Sequence, residues 1–293
     1  MNNSLKTVFL LVLLSGLFLM IGYAFGGRAG VFYAFLMSLL MNAGAYWFSD
    51  KIVLSMHGAR PIGPQHPSGV YEIIQELAGE SGLPMPKVYV IQEGTPNAFA
   101  TGRNPEHAAV AVTEGILRML DGRELRGVLA HEISHIRNRD ILVSTVVAAL
   151  ASAMMYLSHM LQWAAITGGQ RRDSRENDRG SNPLALILTI VLAPLVATLI
   201  QMAVSRTREF MADESGARIS KDPEALASAL QKISAPALLR SFQGESRLGY
   251  MQPAFAHLYI VNHFSGEAVF NWFSTHPPVK ERVRRLLMMS GHS

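Results

Sequence analysis

Four long apolar runs alternate with polar stretches along the chain. The runs cover Leu5–Phe25, Val31–Phe48, Ile141–Ile166 and Leu184–Val204. Each has about the length that a helix needs to cross a bilayer, roughly 20 residues. Only Gly26–Gly30 separates the first two runs, so we predict a tight helical hairpin joined by this five-residue turn. The pattern therefore predicts about four transmembrane helices.

The polar stretches carry shorter patterns, which predict further helices and a small β-sheet. Strands are predicted at Lys87–Ile91 and Ala108–Val112, with Asn97–Gly102 extended between them. Three prolines, Pro61, Pro64 and Pro67, predict a linker between the first hairpin and the helix predicted at Pro67–Gly82. Helical spacing of apolar residues predicts helices at Pro67–Gly82, Thr113–Leu120, Arg206–Ala217, Pro223–Ile233 and Pro278–Met288.

The composition supports a membrane protein. The chain is 49% hydrophobic and only 16% charged, against roughly 25% charged residues in soluble domains. Cysteine is absent, which excludes disulfides, thiolate metal ligands and a cysteine nucleophile. The sequence pI is about 9.4, but the basic residues are scattered in loops without interleaved aromatic residues, which argues against nucleic acid as a partner. No GxxxxGK phosphate loop is present, so nothing suggests nucleotide binding.

The distribution of basic residues predicts the orientation in the membrane. Residues 51–140 contain nine Lys and Arg, and residues 205–293 contain eleven, so we expect both segments in the cytoplasm. Four arginines between the third and fourth runs conflict with this expectation. Either that loop is translocated despite its charge, or the second hairpin does not fully cross; we favour full crossing.

The strongest chemical signal is His131-Glu-Ile-Ser-His135, an HExxH sequence. On a helix, His131 and His135 lie one turn apart on the same face, where both imidazoles can reach one metal ion. Asp121 and Glu124 have capping-box spacing and predict where that helix begins. A catalytic zinc site needs three protein ligands and one open position, and Glu132 can take a proton from the water bound there.

A third ligand is available 74 positions after His135, at Glu209. Asp213 follows at i+4 on the same predicted helix and can accept the second N–H of a ligand imidazole, which fixes its tautomer. Glu214 and Glu124 are the competing candidates for the third ligand. This constellation predicts a metallopeptidase.

The chain resembles the HtpX-type membrane zinc metalloproteases, relatives of the CAAX prenyl endopeptidases. The matching stretches occur in the family's order at Asn97–Gly102, His131–His135, Ser205–Asp213 and Thr275–Pro278. The resemblance implies a gluzincin-like domain with one zinc ion per chain, held by His131, His135 and Glu209, and with Glu132 as general base. It also implies polypeptide substrates, proteolytic quality control of misfolded proteins of the bacterial inner membrane under stress, and a multi-pass chain with its catalytic domain in the cytoplasm.

Three further roles follow from the resemblance or from position, each with an open alternative. Asn97, Ala98 and Phe99 belong to a segment whose backbone would pair with an extended substrate, or to an ordinary core strand. His276 would stabilise the oxyanion, or it merely precedes a helix that begins at Pro277 or Pro278. Arg282 pairs with an active-site carboxylate, or it belongs to a solvated basic face, the reading that we favour.

Together these patterns predict a mainly α membrane protein of the α+β type, in four parts. They are a transmembrane hairpin at 1–50, a first catalytic part at 51–140, a second hairpin at 141–204 with a polar loop at 167–183, and a second catalytic part at 205–293. An intramembrane protease is a poor rival, because charged residues flank the HExxH sequence on both sides. The rival from another class is a membrane-anchored, zinc-dependent scaffold protein without proteolytic activity.

Overall fold

The computed structural model describes residues 3–151, 206–235, 258, 260 and 277–291. The predicted transmembrane segments beyond Ala151, the polar loop at 167–183 and His276 lie outside these residues.

A long helical hairpin opens the chain, as predicted. Helix α1 (Asn3–Met56) reverses at Gly27, whose φ of 54° is a conformation that glycine adopts readily. The reversal is thus sharper than the predicted five-residue turn, because helix continues on both sides of this one residue. The two arms are joined by Asn42, whose Nδ2 donates to Ser15 Oγ at 2.8 Å and to the Leu11 carbonyl at 3.5 Å.

The second arm of the hairpin, Gly26–Met56, is the one helix among the described residues long and apolar enough to cross a membrane. Its large apolar side chains are mostly exposed, with Tyr33 and Leu40 both at 69%. Contiguous apolar surface of this kind is costly in water and suits a lipid environment. The described start of the third apolar run, helix α5 (Ile141–Ala151), is instead buried within the protein.

A four-stranded mixed sheet follows, formed by β1 (Arg60–Ile62), β2 (Lys87–Ile91), β3 (Ala98–Gly102) and β4 (Ala108–Thr113). Their order in the sheet is β1-β2-β4-β3. Strands β2, β3 and β4 confirm the predicted strands. Strand β2 is parallel to β4, whereas β3 is antiparallel to β4 and forms one edge of the sheet. The prediction of a linker was wrong for Arg60–Ile62, which form β1 at the opposite edge, antiparallel to β2.

The helices predicted in the polar stretches are confirmed, with small changes at their ends. Helix α4 (Gly122–Arg137) carries the HExxH sequence and starts with the expected capping box: Asp121 Oδ1 accepts from Glu124 N at 2.9 Å, and Glu124 Oε2 accepts from Asp121 N at 3.1 Å. The remaining helices are α2 (Val70–Glu80), α3 (Glu114–Met119), α6 (Arg206–Ser220), α7 (Pro223–Ser234) and α8 (Val279–Ser290).

The sheet separates two apolar layers. The larger layer contains α4 with the apolar faces of α2, α6, α7 and α8, and includes Leu129, Ile133 and Leu230. The smaller layer joins Phe99 of β3 to Val53 of α1 and to residues of α5. The end of the membrane hairpin and α5, through Ala148 and Ala149, are therefore packed on the same sheet whose edge borders the HExxH helix.

Candidate metal centre and active-site cleft

Three of the predicted ligands meet at one point. Nε2 of His131 lies 3.1 Å from Nε2 of His135, and each of these nitrogens lies 3.8 Å from a carboxylate oxygen of Glu209. All three ligand atoms fall within 4.8 Å of one another. A tetrahedral zinc site with bonds of about 2.0 Å separates its ligand atoms by roughly 3.3 Å. The observed donor set therefore fits one zinc ion with little rearrangement.

Close helix packing brings Glu209 to the histidines. Glu209 lies on α6, which crosses α4 so closely that a Cβ added to Gly216 would lie 2.8 Å from the backbone nitrogen of His131. Only glycine permits this approach at that position. The third ligand thus depends on a glycine that the sequence patterns did not single out.

Each histidine has a carboxylate behind it. Asp213 Oδ1 lies 3.0 Å from Nδ1 of His131, where the i, i+4 spacing from Glu209 predicted it. Both oxygens of Asp140 lie 3.1 Å from Nδ1 of His135. Such a pairing leaves Nε2 as the metal-binding nitrogen and orients the ring. Asp140 was missed because it follows the end of α4, where helical spacing no longer predicts which side chains face each other.

The favoured reading of Arg282 was wrong. It belongs to no solvated face: its side chain is completely buried and donates to both oxygens of Asp213, at 2.8 and 2.7 Å. The other basic residues of this helix, Lys280, Arg284 and Arg285, are exposed, as expected for its outer side. Asp213 therefore lies between His131 and a buried cation.

The competing third ligands lie elsewhere. Glu124 is engaged in the cap of α4 and accepts from Ser228 Oγ and Lys232 Nζ, both at 2.7 Å. Glu214 is exposed and pairs with Arg218 at 2.9 Å. Neither carboxylate belongs to the group formed by the two histidines and Glu209.

The electrostatics of the site favour a cation at its centre. Burial alone would lower the pKa of His135, but the carboxylates of Asp140, Glu209 and Glu132 raise it to about 10. For His131, burial outweighs the attraction of Asp213 and lowers the pKa. Burial would raise the pKa of Asp213, but Arg282 and His131 lower it to about 2, so that it stays a carboxylate. The carboxylates around His135 therefore stabilise positive charge at that imidazole.

Glu132 lies beside this centre under the edge of the sheet. Its Oε2 accepts a hydrogen bond from the backbone N–H of Ala100 at 2.9 Å. Burial, and to a smaller extent the nearby Glu209 carboxylate, raise the pKa of Glu132 to about 7. A carboxyl group whose pKa lies near 7 can both accept and return a proton near neutral pH.

The outer edge of β3 offers specific backbone groups to the cleft. The Asn97 carbonyl accepts from Thr113 N at 2.9 Å, and antiparallel pairs alternate, so Phe99 also bonds towards β4. Ala98, Ala100 and Gly102 then direct their N–H and C=O groups away from the sheet. The side chain of Phe99 is buried in the apolar layer shared with α1.

Two of these outward N–H groups already have partners. Ala100 N donates to Glu132, and Gly102 N donates to Thr145 Oγ1 at 3.0 Å. Both backbone groups of Ala98 and the carbonyls of Ala100 and Gly102 point the same way; Ala98 and Ala100 are themselves buried, at 0% and 5% exposed. The side chain of Asn97 accepts from Ile260 N at 3.3 Å.

A small cleft connects these features. It encloses about 40 Å³ of space for water, between the two histidines, Glu132 and Glu209. Asp140 and Ser144 also line it, and apolar side chains complete its wall, at Phe99, Ala100, Ile141, Leu258 and Ile260. The arrangement can hold a metal ion and a water molecule next to a carboxylate base, beside the edge of β3.

Comparison with known proteins agrees with this chemistry. The model of peptidase family M48 matches residues 64–290. A "Protease HtpX homolog" of Syntrophobacter fumaroxidans is 50% identical over 289 residues, which is 99% of this chain and all of that protein. A "Protease HtpX homolog" of Ralstonia pickettii is 50% identical over 290 residues, 99% of this chain and 98% of that protein.

A solved structure has a related fold. The crystal structure of Ste24p from S. mikatae matches with a TM-score of 0.50 at 17% sequence identity. The match covers 97% of this chain but 65% of the longer Ste24p chain. At this identity the likeness concerns the fold alone. The family match and the near-complete alignments with HtpX homologues show that this chain belongs to peptidase family M48.

Proposed function

We propose that this protein is a membrane-bound zinc endopeptidase with one zinc ion per chain. One observation carries the proposal: two imidazole nitrogens and a carboxylate converge within 4.8 Å, with Glu132 next to them in a cleft beside the edge of β3. Family membership agrees with it. Nothing in the described structure or among the relatives favours the scaffold alternative.

His131, His135 and Glu209 would hold the zinc ion, while Asp213 and Asp140 orient the two imidazoles from behind. When bound, zinc supplies a Lewis acid that acidifies a water molecule and polarises the scissile carbonyl. Glu132 takes the proton of that water on its carboxylate and returns it to the leaving amine. Burial favours this proton transfer, because it brings the pKa of Glu132 to about 7.

The edge of β3 would hold the substrate. An extended peptide can pair with the backbone of Ala98 and with the Ala100 carbonyl, which point out of the sheet. Of the three residues first predicted to bind substrate, Ala98 presents its backbone outward, whereas Asn97 and Phe99 bond towards β4. The predicted oxyanion role of His276 is retained as part of the proposal on the strength of the resemblance alone.

The membrane arrangement is proposed from the sequence pattern. Four spans in two hairpins would place residues 51–140 and 205–293 on the cytoplasmic face of a bacterial inner membrane, as one catalytic domain. The substrates would then be misfolded membrane proteins that expose cytoplasmic loops. A reporter enzyme that is active only in the cytoplasm should be active when fused after Val53. The same reporter fused after Ser174 should be inactive, because the proposal translocates that loop. A cytoplasmic reporter after Ser174 would contradict the second hairpin.

The activity is tested with the full chain purified in detergent, by cleavage of casein with and without a chelator. Chelator should abolish cleavage, and zinc should restore it. Glu132→Gln should abolish cleavage while zinc content stays near one per chain, because this residue holds no metal. Glu209→Ala should lower zinc content and activity together. Glu214→Gln is the matched control, since Glu214 lies on the same helix, is exposed and pairs with Arg218 at 2.9 Å.

Two results would refute this assignment. Casein cleavage that persists in chelator would exclude metal-dependent hydrolysis. A normal zinc content in Glu209→Ala would remove Glu209 from the ligand set.

A further inference from the structure

Arg282 is a buried cation that the mechanism above does not use. Its side chain has an exposed fraction of 0% and is the largest of the fully buried side chains among the described residues. Nε and Nη2 donate to the two oxygens of Asp213, and Nη1 donates to the Ile260 carbonyl at 2.7 Å. All three nitrogens of the guanidinium group therefore have an acceptor, and its orientation is fixed.

Stability is a poor explanation for such a group. The loss of hydration on burying two ions largely offsets their attraction, so that apolar residues of similar size often serve a core at least as well. The contacts of Arg282 indicate a different role. It binds Asp213, which contacts the predicted metal ligand His131, and it binds the backbone of Ile260, which lines the cleft.

The first connection runs through Asp213 to His131. The same oxygen, Oδ1, lies 2.7 Å from Arg282 Nη2 and 3.0 Å from His131 Nδ1. A bidentate guanidinium–carboxylate pair fixes the plane of the carboxylate as well as its position. Asp213 is therefore held where its oxygen meets the ring nitrogen opposite the metal-binding one.

The second connection runs to the cleft. The backbone of Ile260 is held from both sides, with its carbonyl on Arg282 and its N–H on Asn97 Oδ1 at 3.3 Å. The side chain of Ile260 lines the cleft. Arg282 thus touches the supports of both the metal centre and the substrate-binding wall.

We propose that Arg282 is a positioning residue that holds the Asp213 carboxylate against His131 and holds Ile260 in the wall of the cleft. The inference rests on the proposed zinc endopeptidase function and adds a residue that acts through two others. It predicts two separable effects of losing Arg282: weaker zinc binding through Asp213, and a higher KM through Ile260.

Zinc affinity is the first readout and needs no turnover. It is measured on the full chain in detergent by competition with a chromophoric chelator, and the absorption spectrum of the cobalt-substituted protein reports ligand geometry. Arg282→Gln should weaken zinc binding by about 10–100-fold, the usual effect of losing support behind a ligand. Arg282→Lys keeps the charge but not the bidentate geometry, so its loss should be smaller but its cobalt spectrum should still change.

Three further variants separate positioning from general damage. Asn97→Ala releases only the other tether of Ile260, so it should raise KM and leave zinc affinity unchanged. Arg284→Gln removes an exposed arginine of the same helix, paired with Glu281, and should change neither quantity. The double variant Arg282→Gln/Asp213→Asn leaves no unpaired buried charge. Its zinc affinity should match that of Asp213→Asn alone within about twofold.

Two outcomes overturn the proposal: zinc affinities of both Arg282 variants within about twofold of the wild type, or a full additional loss on adding Arg282→Gln to Asp213→Asn. If Arg282→Gln does not fold, Arg282→Lys alone decides: the proposal falls if its zinc affinity, cobalt spectrum and KM are unchanged. A wild-type chain that binds no zinc would instead refute the proposed function, which keeps the two failures distinct.

Discussion

Gly216→Ala tests whether the crossing of α4 and α6 sets the metal centre. A Cβ at this position would meet the backbone nitrogen of His131 at 2.8 Å and its Cα at 2.9 Å. These are backbone atoms within a helix, so they cannot rotate away as the end of a flexible side chain would. To restore an ordinary contact of 3.4 Å, the two helices must separate by about 0.6 Å.

Two opposing energies decide the effect on stability. Alanine in place of glycine inside a helix stabilises by about 0.5–1 kcal/mol. Overpacking a well-packed interior costs about 1–3 kcal/mol. Because the clash is with backbone, we expect the upper part of that range and a net loss of about 1–2 kcal/mol.

The effect on metal binding should be larger than the effect on stability. Glu209 lies on α6 and both histidines lie on α4, so a separation of about 0.6 Å exceeds the tolerance of about 0.2 Å in zinc–ligand distances. Zinc affinity should fall at least about tenfold. The assays are chelator competition for zinc, and thermal unfolding in detergent with zinc removed.

Gly79→Ala is the matched control. Gly79 is an exposed helical glycine of α2 with no atom within 4 Å of an added Cβ, so the exchange should stabilise the protein and leave zinc affinity unchanged. Gly216→Ala with wild-type zinc affinity would show that the helix crossing does not set the ligand geometry.

Three further predictions concern other parts of the molecule. Asp140→Ala should weaken zinc binding by about 10–100-fold, because His135 loses its orienting carboxylate, and chelator competition measures this. Burial lowers the pKa of His57 to about 4 in the folded protein. The neutral His57 therefore contributes its full stabilisation above the unfolded pKa of 6.5, and up to about 3 kcal/mol of stability is lost as the pH falls towards 4. Thermal unfolding at pH 7 and pH 4.5 should show this loss in the wild type and a smaller one in His57→Gln. Thr145→Val should leave the buried Gly102 N–H without its acceptor, lower stability by about 1–3 kcal/mol and raise KM; an unchanged KM would show that the β3 edge does not bind substrate.

Local patterns in the sequence predicted most of the elements. The helix that carries His131 and His135 was predicted together with its start, because a capping box and helical spacing are written into adjacent residues. The strand β1 was missed for the opposite reason. Its three residues include a proline, and only their pairing with β2 makes them a strand.

In the candidate site too, features set by nearby residues were predicted, whereas those set by distant partners were not. The convergence of Glu209 with the histidines was inferred from residue types and spacing, and their ligand atoms lie within 4.8 Å of one another in the structure. Arg282 was misread because arginines and a lysine surround it in the sequence, which is typical of a solvated face. Its burial depends on Asp213, 69 positions earlier, and no local pattern records such a partner.

The most direct test of the account is X-ray absorption at the zinc edge of the purified full chain, compared between the wild type and Glu209→Ala. In the wild type, the account predicts one zinc ion bound by two imidazole nitrogens and by oxygen ligands, at distances of about 2.0–2.1 Å. In Glu209→Ala it predicts loss of zinc or one fewer protein ligand. A wild-type spectrum without imidazole scattering, or identical spectra and zinc contents in the two proteins, would contradict it.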